Sequence, residues 1–102
     1  MAIRNMTDRS ETQKIVSFVK ALGTESRLKI LLLFVDGRER TVNEITEVIG
    51  IGQSTCSEHL SLMKRAGLMT SYRQGKEVYY LPDKRLIVEN LERINLLLKS
   101  CC

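Results

Sequence analysis

Residues 53–66 combine apolar side chains at helical spacing with hydroxyls, an amide and bases. Cys56, Leu60 and Met63 recur at i, i+4 and i+7, which predicts a helix with this side toward a core. The opposite side is then polar. Hydroxyls and helix N-termini bind phosphate oxygens, and Gln and Ser reach base edges in the major groove of DNA. The predicted DNA-contacting residues on this helix are Gln53, Ser54, Thr55, Ser57, Glu58, His59, Ser61, Lys64 and Arg65.

A second pair of bases follows this helix. Arg73 and Lys76 flank Gln74–Gly75, which is predicted to be a two-residue hairpin turn. A hairpin tip with two bases can lie on the sugar-phosphate backbone or enter the minor groove. Taken alone, the helix also fits an ordinary surface helix whose hydroxyls only cap it and face solvent. His59 lies at the boundary of the two sides, which leaves a phosphate contact and a local hydrogen bond equally open.

The positive charge of the chain is concentrated in this region. The 102 residues carry a net charge of +4, and residues 53–76 account for three of these charges. Such a concentration suits a polyanion, although charge alone fits a solvated surface equally well. With 43% apolar and 27% charged residues, the chain has the composition of one globular domain. A single His and no Trp argue against most acid–base, metallohydrolase and triad enzymes, and the polar N-terminus indicates a cytoplasmic protein.

The remaining pattern predicts the elements that position this region. Capping signals and apolar periodicity predict helices over about 10–22, 25–35, 42–49, 54–66 and 84–98, with a hairpin over about 68–81. The second helix is apolar on several sides, so it is expected to be the most buried. The third helix is expected to bury Ile45, Val48 and Ile49.

This order of elements predicts a mainly α, α+β fold: a winged helix-turn-helix of about five helices and a two-stranded β-hairpin wing. The expected organisation is a flexible N-terminal tail at 1–9, a DNA-binding and dimerisation domain at 10–98, and a Cys-containing tail at 99–102.

From Phe18 to Pro82 the chain resembles the ArsR/SmtB family of bacterial winged-helix repressors. The matching segments are ALGTESRLKILLLF, QSTCSEHLSLMKRAGL and RQGKEVYYLP. The resemblance implies a homodimer that represses its operon and releases DNA when an inducer binds. It also implies that Gln53, Ser54, Ser57 and His59 lie at or near the DNA face.

The terminal helices carry more apolar surface than one side of a small domain needs, which predicts a homodimer. A monomer in which one helix covers both cores is the alternative. A twofold dimer would bind a near-palindromic operator, with its half-sites about one DNA turn apart. The predicted dimer contacts are Val16, Val19, Ile87, Leu91, Ile94 and Leu98.

The metal-ligand patterns of the best-known family members are missing, so the cysteines are the remaining sensing candidates. Cys101 and Cys102 adjoin Lys99, and a nearby base raises thiol reactivity. As(III), Zn(II) or Cd(II) are candidate inducers, with thiol oxidation as the rival, and no cofactor is expected for DNA binding. The alternative for Cys101 and Cys102 is a frayed tail without a sensing role. The alternative for Cys56 is that its side chain only packs in the core.

Together these features predict a sequence-specific DNA-binding regulator, a homodimeric repressor released by an inducer. The alternative is a winged-helix module that binds a protein and no DNA. A small enzyme has no support beyond Ser, Cys and His residues that share no evident site.

Overall fold

The computed structural model describes residues 9–101, with side chains from residue 10 to residue 100. This part of the chain forms five α-helices, one short 3-10 helix and three strands. In chain order they are α1 (Arg9–Leu22), α2 (Glu25–Leu33), the 3-10 helix (Phe34–Asp36), β1 (Arg40–Thr41), α3 (Val42–Ile49), α4 (Gln53–Arg65), β2 (Met69–Gln74), β3 (Glu77–Pro82) and α5 (Lys84–Cys101). The predicted winged helix-turn-helix is confirmed.

Side-chain caps begin three of these helices where the sequence predicts them. The Oγ1 atom of Thr24 accepts from the backbone N–H of Arg27 at the start of α2 (3.2 Å). Thr41 and Glu44 form a complete capping box at α3, and the backbone hydrogen bond from Thr41 lowers the pKa of Glu44. Asp83 accepts from the N–H of Leu86 at the start of α5.

The core is formed by the inner sides of helices α1 to α4, the 3-10 helix and the start of β2. Its largest fully buried side chains are Phe18, Ile30, Ile45, Leu60, Met63, Leu68, Met69 and Cys56. The expectation that α2 is the most buried helix is wrong, because Ile30 is its only buried residue and Leu28 and Leu32 are exposed. Val48 of α3 is also exposed, contrary to expectation, while Ile45 and Ile49 pack as predicted.

The wing has one more strand than the sequence predicts. β1 pairs with β3, so the antiparallel sheet has the order β1-β3-β2. The hairpin turn also lies one residue later than expected: Gln74 pairs with Glu77, so Gly75 and Lys76 form the two-residue loop. Gly75 has φ +65, a left-handed value that glycine adopts at the first position of such turns. Lys76 therefore lies at the tip itself.

The terminal helices run slightly further than the periodicity predicts. α1 begins at Arg9, and α5 continues through Lys99 and Ser100 to Cys101. An ion pair between Arg93 Nε and Glu11 Oε2 (2.9 Å) ties α5 to α1. Among the described residues, every helix is too short or too polar to cross a lipid bilayer.

Candidate nucleic-acid interface

Helix α4 divides into the two sides that the sequence predicts. Cys56, Leu60 and Met63 are fully buried in the core. Nearly all of the predicted contact residues lie on the exposed outer side, and Ser57 and His59 are half-buried at its margins. Gly52 begins the helix without a side-chain hydrogen bond, so no capping side chain occupies this end of α4. The exposed residues are Gln53, Ser54, Thr55, Glu58, Ser61, Lys64 and Arg65.

The outer side of α4 is a mainly polar surface. Five polar residues and Leu62 line one shallow groove along it: Ser54, Ser57, Glu58, Ser61, Leu62 and Arg65. Short hydroxyls dominate this surface, so a DNA groove can approach the helix backbone closely. Glu58 is the single acidic side chain of α4, and its carboxylate lies among these hydrogen-bonding groups.

The wing is joined to α4 by a side-chain hydrogen bond. Lys64 Nζ donates to Ser71 Oγ of β2 (2.7 Å), so the C-terminal end of α4 and the wing are held together. Arg73 and Lys76 are exposed at the far end of the hairpin. The predicted bases of the wing are thus exposed on a hairpin that is hydrogen-bonded to the C-terminal end of α4.

The tyrosines pack within the wing and between the wing and the core. Tyr72 and Tyr79 are cross-strand partners whose rings stack with centroids 5.5 Å apart, and Tyr80 packs against the core. The Tyr72 hydroxyl donates to Glu39, and this hydrogen bond raises the pKa of Tyr72 to about 12. These contacts give each of the three tyrosines a role within the fold.

An ion pair fixes the turn that leads into the wing sheet. Arg40 donates to both carboxylate oxygens of Asp36 (3.0 and 2.6 Å), and its Nη1 also donates to the carbonyl of Leu33 (3.1 Å). The Arg40 guanidinium also lies 5.7 Å from the ring centroid of Phe34. These contacts, with the backbone N–H of Arg38 bonded to Asp36, hold the pKa of Asp36 well below its ordinary range.

His59 makes a local hydrogen bond. Its Nδ1 lies 3.3 Å from Nη1 of Arg27, a residue of α2. Sequence analysis missed Arg27, because the two residues are 32 positions apart and no periodicity links them. Ser71 was missed for the same reason: only the folded chain brings it to Lys64.

Cys56 is the cysteine whose side chain lies among the described residues 10–100. Cys56 is fully buried, and burial raises the pKa of its thiol, so its position fits packing. Cys101 ends α5, and Cys102 lies outside the described residues. Residues 9–101 contain no cluster of three or more His, Cys, Asp or Glu side chains arranged to hold a metal ion.

The predicted dimer residues fall into two groups. Val16, Val19, Leu91 and Leu98 are between 40% and 56% exposed, so apolar surface faces solvent on α1 and α5. Val88 and Leu96, which the prediction did not include, add to the exposed apolar surface of α5. Ile87 and Ile94 instead pack against the core of their own chain.

Comparison with known proteins agrees with this geometry. The family model of the bacterial regulatory proteins of the arsR family matches residues 24–71, from the cap of α2 into β2. The cadmium resistance transcriptional regulatory protein CadC of Listeria innocua is 33% identical over 87 residues, which cover 85% of this chain and 68% of that protein. The chain belongs to the ArsR family. It is a DNA-binding transcriptional regulator with a winged helix-turn-helix.

Solved structures of this fold extend the similarity to most of the chain. HlyU from Vibrio cholerae, which is named a transcriptional activator, is 32% identical with a TM-score of 0.67, over 87% of this chain and 97% of that one. A homodimeric winged helix-turn-helix domain from Mycobacterium bovis has a TM-score of 0.73 over 93% of this chain and 87% of that one. At 24% identity, the second likeness concerns the fold alone.

Proposed function

We propose that this ArsR-family chain is a homodimeric repressor that reads a near-palindromic operator with the outer side of α4. The observation that supports this proposal most directly is that α4 buries Cys56, Leu60 and Met63 completely and exposes a mainly polar side, while the wing that Lys64 joins to it exposes two bases. Gln53, Ser54 and Ser57 would meet base edges and phosphates near the start of the helix. The remaining contacts proposed are those of Thr55, Glu58, His59, Ser61, Lys64, Arg65, Arg73 and Lys76.

The second protomer would cover the apolar surface of α1 and α5. Val16, Val19 and Leu91 are exposed on two helices that an ion pair holds together, and burying such side chains against a twin surface is favourable. Two α4 helices related by a twofold axis would then enter successive major grooves. Binding in this arrangement would block transcription by occupying the operator.

Release from DNA would come from chemistry at the C-terminal thiols. Cys101 and Cys102 lie two and three residues after Lys99, whereas Cys56 is buried in the core and would not take part. A soft ion such as As(III), Zn(II) or Cd(II), or an oxidant, would act on these sulfurs. The relative CadC is named a cadmium resistance regulator, which is the reason to include Cd(II) among the ions tested.

The experiment is a fluorescence-anisotropy titration on DNA from upstream of the chain's own gene and on unrelated DNA. Gln53→Ala should lose about tenfold in affinity for the operator and much less for unrelated DNA, because a base-edge contact is removed. Gln13→Ala changes the same residue type on the exposed side of α1 and should bind as the parent does. Equal losses on both DNAs for Gln53→Ala would contradict direct reading by α4.

The wing is tested through the salt dependence of binding. Lys76→Ala should weaken binding to both DNAs and reduce the slope of log affinity against log salt by about 0.9, since one phosphate contact is lost. Lys84→Ala, an exposed lysine at the start of α5, is the matched control and should leave the slope unchanged. If Lys76→Ala leaves the slope of log affinity against log salt unchanged, the tip of the wing does not contact DNA.

The sensing proposal is tested on the same DNA with As(III), Cd(II), Zn(II) and an oxidant added in turn. The parent should dissociate with one of them, and Cys101→Ser/Cys102→Ser should stay bound. If the double variant dissociates as the parent does, the thiol pair is not the sensor. If the parent binds no DNA at any salt concentration, the proposed function is wrong, and the alternative of a winged-helix module that binds a protein takes its place.

A further inference from the structure

Arg27 joins three helices through its guanidinium. Its Nε donates to the carbonyl of Ala21 (2.7 Å) and its Nη2 to the carbonyl of Lys20 (3.1 Å), both in the last turn of α1. Its Nη1 lies 3.3 Å from Nδ1 of His59 on α4. A side chain of α2 therefore donates to two carbonyls at the end of α1, of which that of Lys20 also accepts from the N–H of Gly23, and at the same time contacts the helix proposed to read DNA.

The chemistry of this contact determines which imidazole nitrogen carries the hydrogen. A guanidinium has five N–H donors and no acceptor, so Nδ1 of His59 must accept. In a neutral imidazole the other nitrogen is then the donor, which gives His59 the Nε2–H tautomer. Arg27 thus selects between two tautomers that are close in energy in a free imidazole.

The Nε2–H group points to a place where a ligand can reach it. Among residues 10–100, His59 has no hydrogen bond other than the one from Arg27. No buried side-chain nitrogen or oxygen in this part of the chain lacks a partner, so Nε2 must reach solvent. His59 is half-buried at the edge of the exposed polar side of α4. An unused donor of fixed direction therefore lies at the margin of the proposed interface.

We propose that Arg27 is a positioning residue of the DNA interface: it holds His59 in the tautomer whose Nε2–H donates to a phosphate oxygen. When the centre of a helix face meets the floor of a DNA groove, its margins meet the sugar-phosphate walls. Phosphate oxygens only accept hydrogen bonds, so the wrong tautomer would turn an acceptor toward an acceptor. This inference rests on the function proposed above and adds Arg27, which does not itself touch DNA, to it.

The first test reads the tautomer directly. His59 is the single histidine of the chain, so a long-range ¹H–¹⁵N spectrum recorded under mildly alkaline conditions contains one imidazole. The free protein should show the Nε2–H tautomer, and Arg27→Met should shift it toward a mixture. Arg85→Met removes an exposed guanidinium of α5 that pairs with Glu89, and it should leave the imidazole signals unchanged. A dominant Nδ1–H tautomer in the parent would overturn the proposal.

The second test separates the two nitrogens by DNA binding and leaves Arg27 in place. An Asn amide lies near the position of Nδ1, and a Gln amide reaches near the position of Nε2. His59→Asn should therefore lose about tenfold in operator affinity, the effect of a lost hydrogen bond to a charged acceptor, and His59→Gln should lose less than about threefold. If both variants lose operator affinity equally, or if His59→Asn binds more tightly than His59→Gln, Nε2 does not make the proposed contact.

The third test asks whether Arg27 acts through His59. Arg27→Met should weaken operator binding in the parent and have no further effect in the His59→Asn background, whereas independent roles would add. Additive losses overturn the inference and leave the proposed function intact, because the parent still binds its operator. A parent that binds no DNA removes the proposed function first. If Arg27→Met does not fold, the tautomer of the parent protein and the Asn and Gln variants still decide whether the Nε2–H contact that the proposal requires exists.

Discussion

At the scale of single residues, Glu58 has the most unusual position in the proposed interface. It is an acid on a surface of hydroxyls, an amide and bases, and it lines the same groove as Ser54, Ser57 and Arg65. A carboxylate repels phosphates, but it can accept a hydrogen bond from the N4 amino group of cytosine. Glu58 should therefore lower general affinity for DNA while adding selectivity.

Glu58→Gln should bind unrelated DNA more tightly by about fivefold, since one exposed charge repulsion of roughly 1 kcal/mol is removed. Operator affinity should rise less, so the ratio of the two affinities should fall. Glu92→Gln, an exposed acid on α5, is the control and should change neither value. An unchanged ratio for Glu58→Gln in the same anisotropy titration would mean that Glu58 takes no part in recognition.

For Cys56, the structure favours core packing over a role in sensing. Its side chain is fully buried among Ile45, Leu60 and other core residues, and burial raises the pKa of its thiol. Cys56→Ser should lower the free energy of unfolding by about 1–3 kcal/mol, because a hydroxyl without a partner enters the core. Ser57→Ala, one position further, should change it by less than about 0.5 kcal/mol. Urea unfolding measures both, and a neutral Cys56→Ser would contradict the packing role.

At the scale of elements, the turn before the wing sheet should respond to pH. Asp36 accepts from Arg40 and from the backbone N–H of Arg38, and its pKa is held well below the ordinary value. The folded chain therefore keeps this carboxylate ionised at a pH where the unfolded chain has protonated it. The stability it contributes is fully present above the ordinary pKa of about 4 and is lost as the pH falls through the lowered value.

Asp36→Asn should thus lower the Tm at neutral pH, and the gap to the parent should narrow steadily as the pH falls below about 4. Thermal unfolding followed by circular dichroism at several pH values measures this gap. Glu92→Gln, whose side chain is exposed on α5, should show no such trend. A gap that stays constant into acid would show that the ionised pair with Arg40 does not stabilise the turn.

The sequence predicted elements well where a cap or a strong period marks them. Thr24, Thr41 and Asp83 begin helices in the structure as their types suggest, and the core side of α4 follows from three apolar residues. α2 was misjudged because it is apolar on several sides, and its nine residues carry no signal for which side is covered. β1 has only two residues, too few to show a period.

Contacts between distant elements could not be predicted for a different reason. The bond from Arg27 to His59 and the bond from Lys64 to Ser71 depend on how helices and strands are placed in space. The residue types were visible, but nothing in their spacing pairs them. The exposed side of α4 was therefore predictable, while the side chains that orient its edges were not.

At the scale of the whole molecule, α1 and α5 carry apolar surface that no other element of the described chain covers. Leu91 is 52% exposed, so its replacement should not disturb the core of the chain. Leu91→Asp should convert a dimer to a monomer in analytical ultracentrifugation, because a charge would be buried in the interface. Operator affinity should fall by at least about tenfold, since a monomer contacts one half-site only.

Val35→Asp is the matched control for this change. Val35 is 81% exposed within the 3-10 helix, outside the surface proposed for the second protomer. The variant should sediment and bind as the parent does. If Leu91→Asp remains a dimer while Val35→Asp dissociates, the interface lies elsewhere; if the parent is a monomer throughout, the twofold reading of an operator is wrong.

The most direct measurement of the central claim is an NMR titration of the ¹⁵N-labelled protein with operator DNA. We expect the largest amide shifts on residues 53–61 and on the wing tip at residues 73–76, with small shifts in α2. Shifts concentrated on α2 or on the outer surface of α5, with α4 unaffected, would contradict the proposal that α4 and the wing bind DNA.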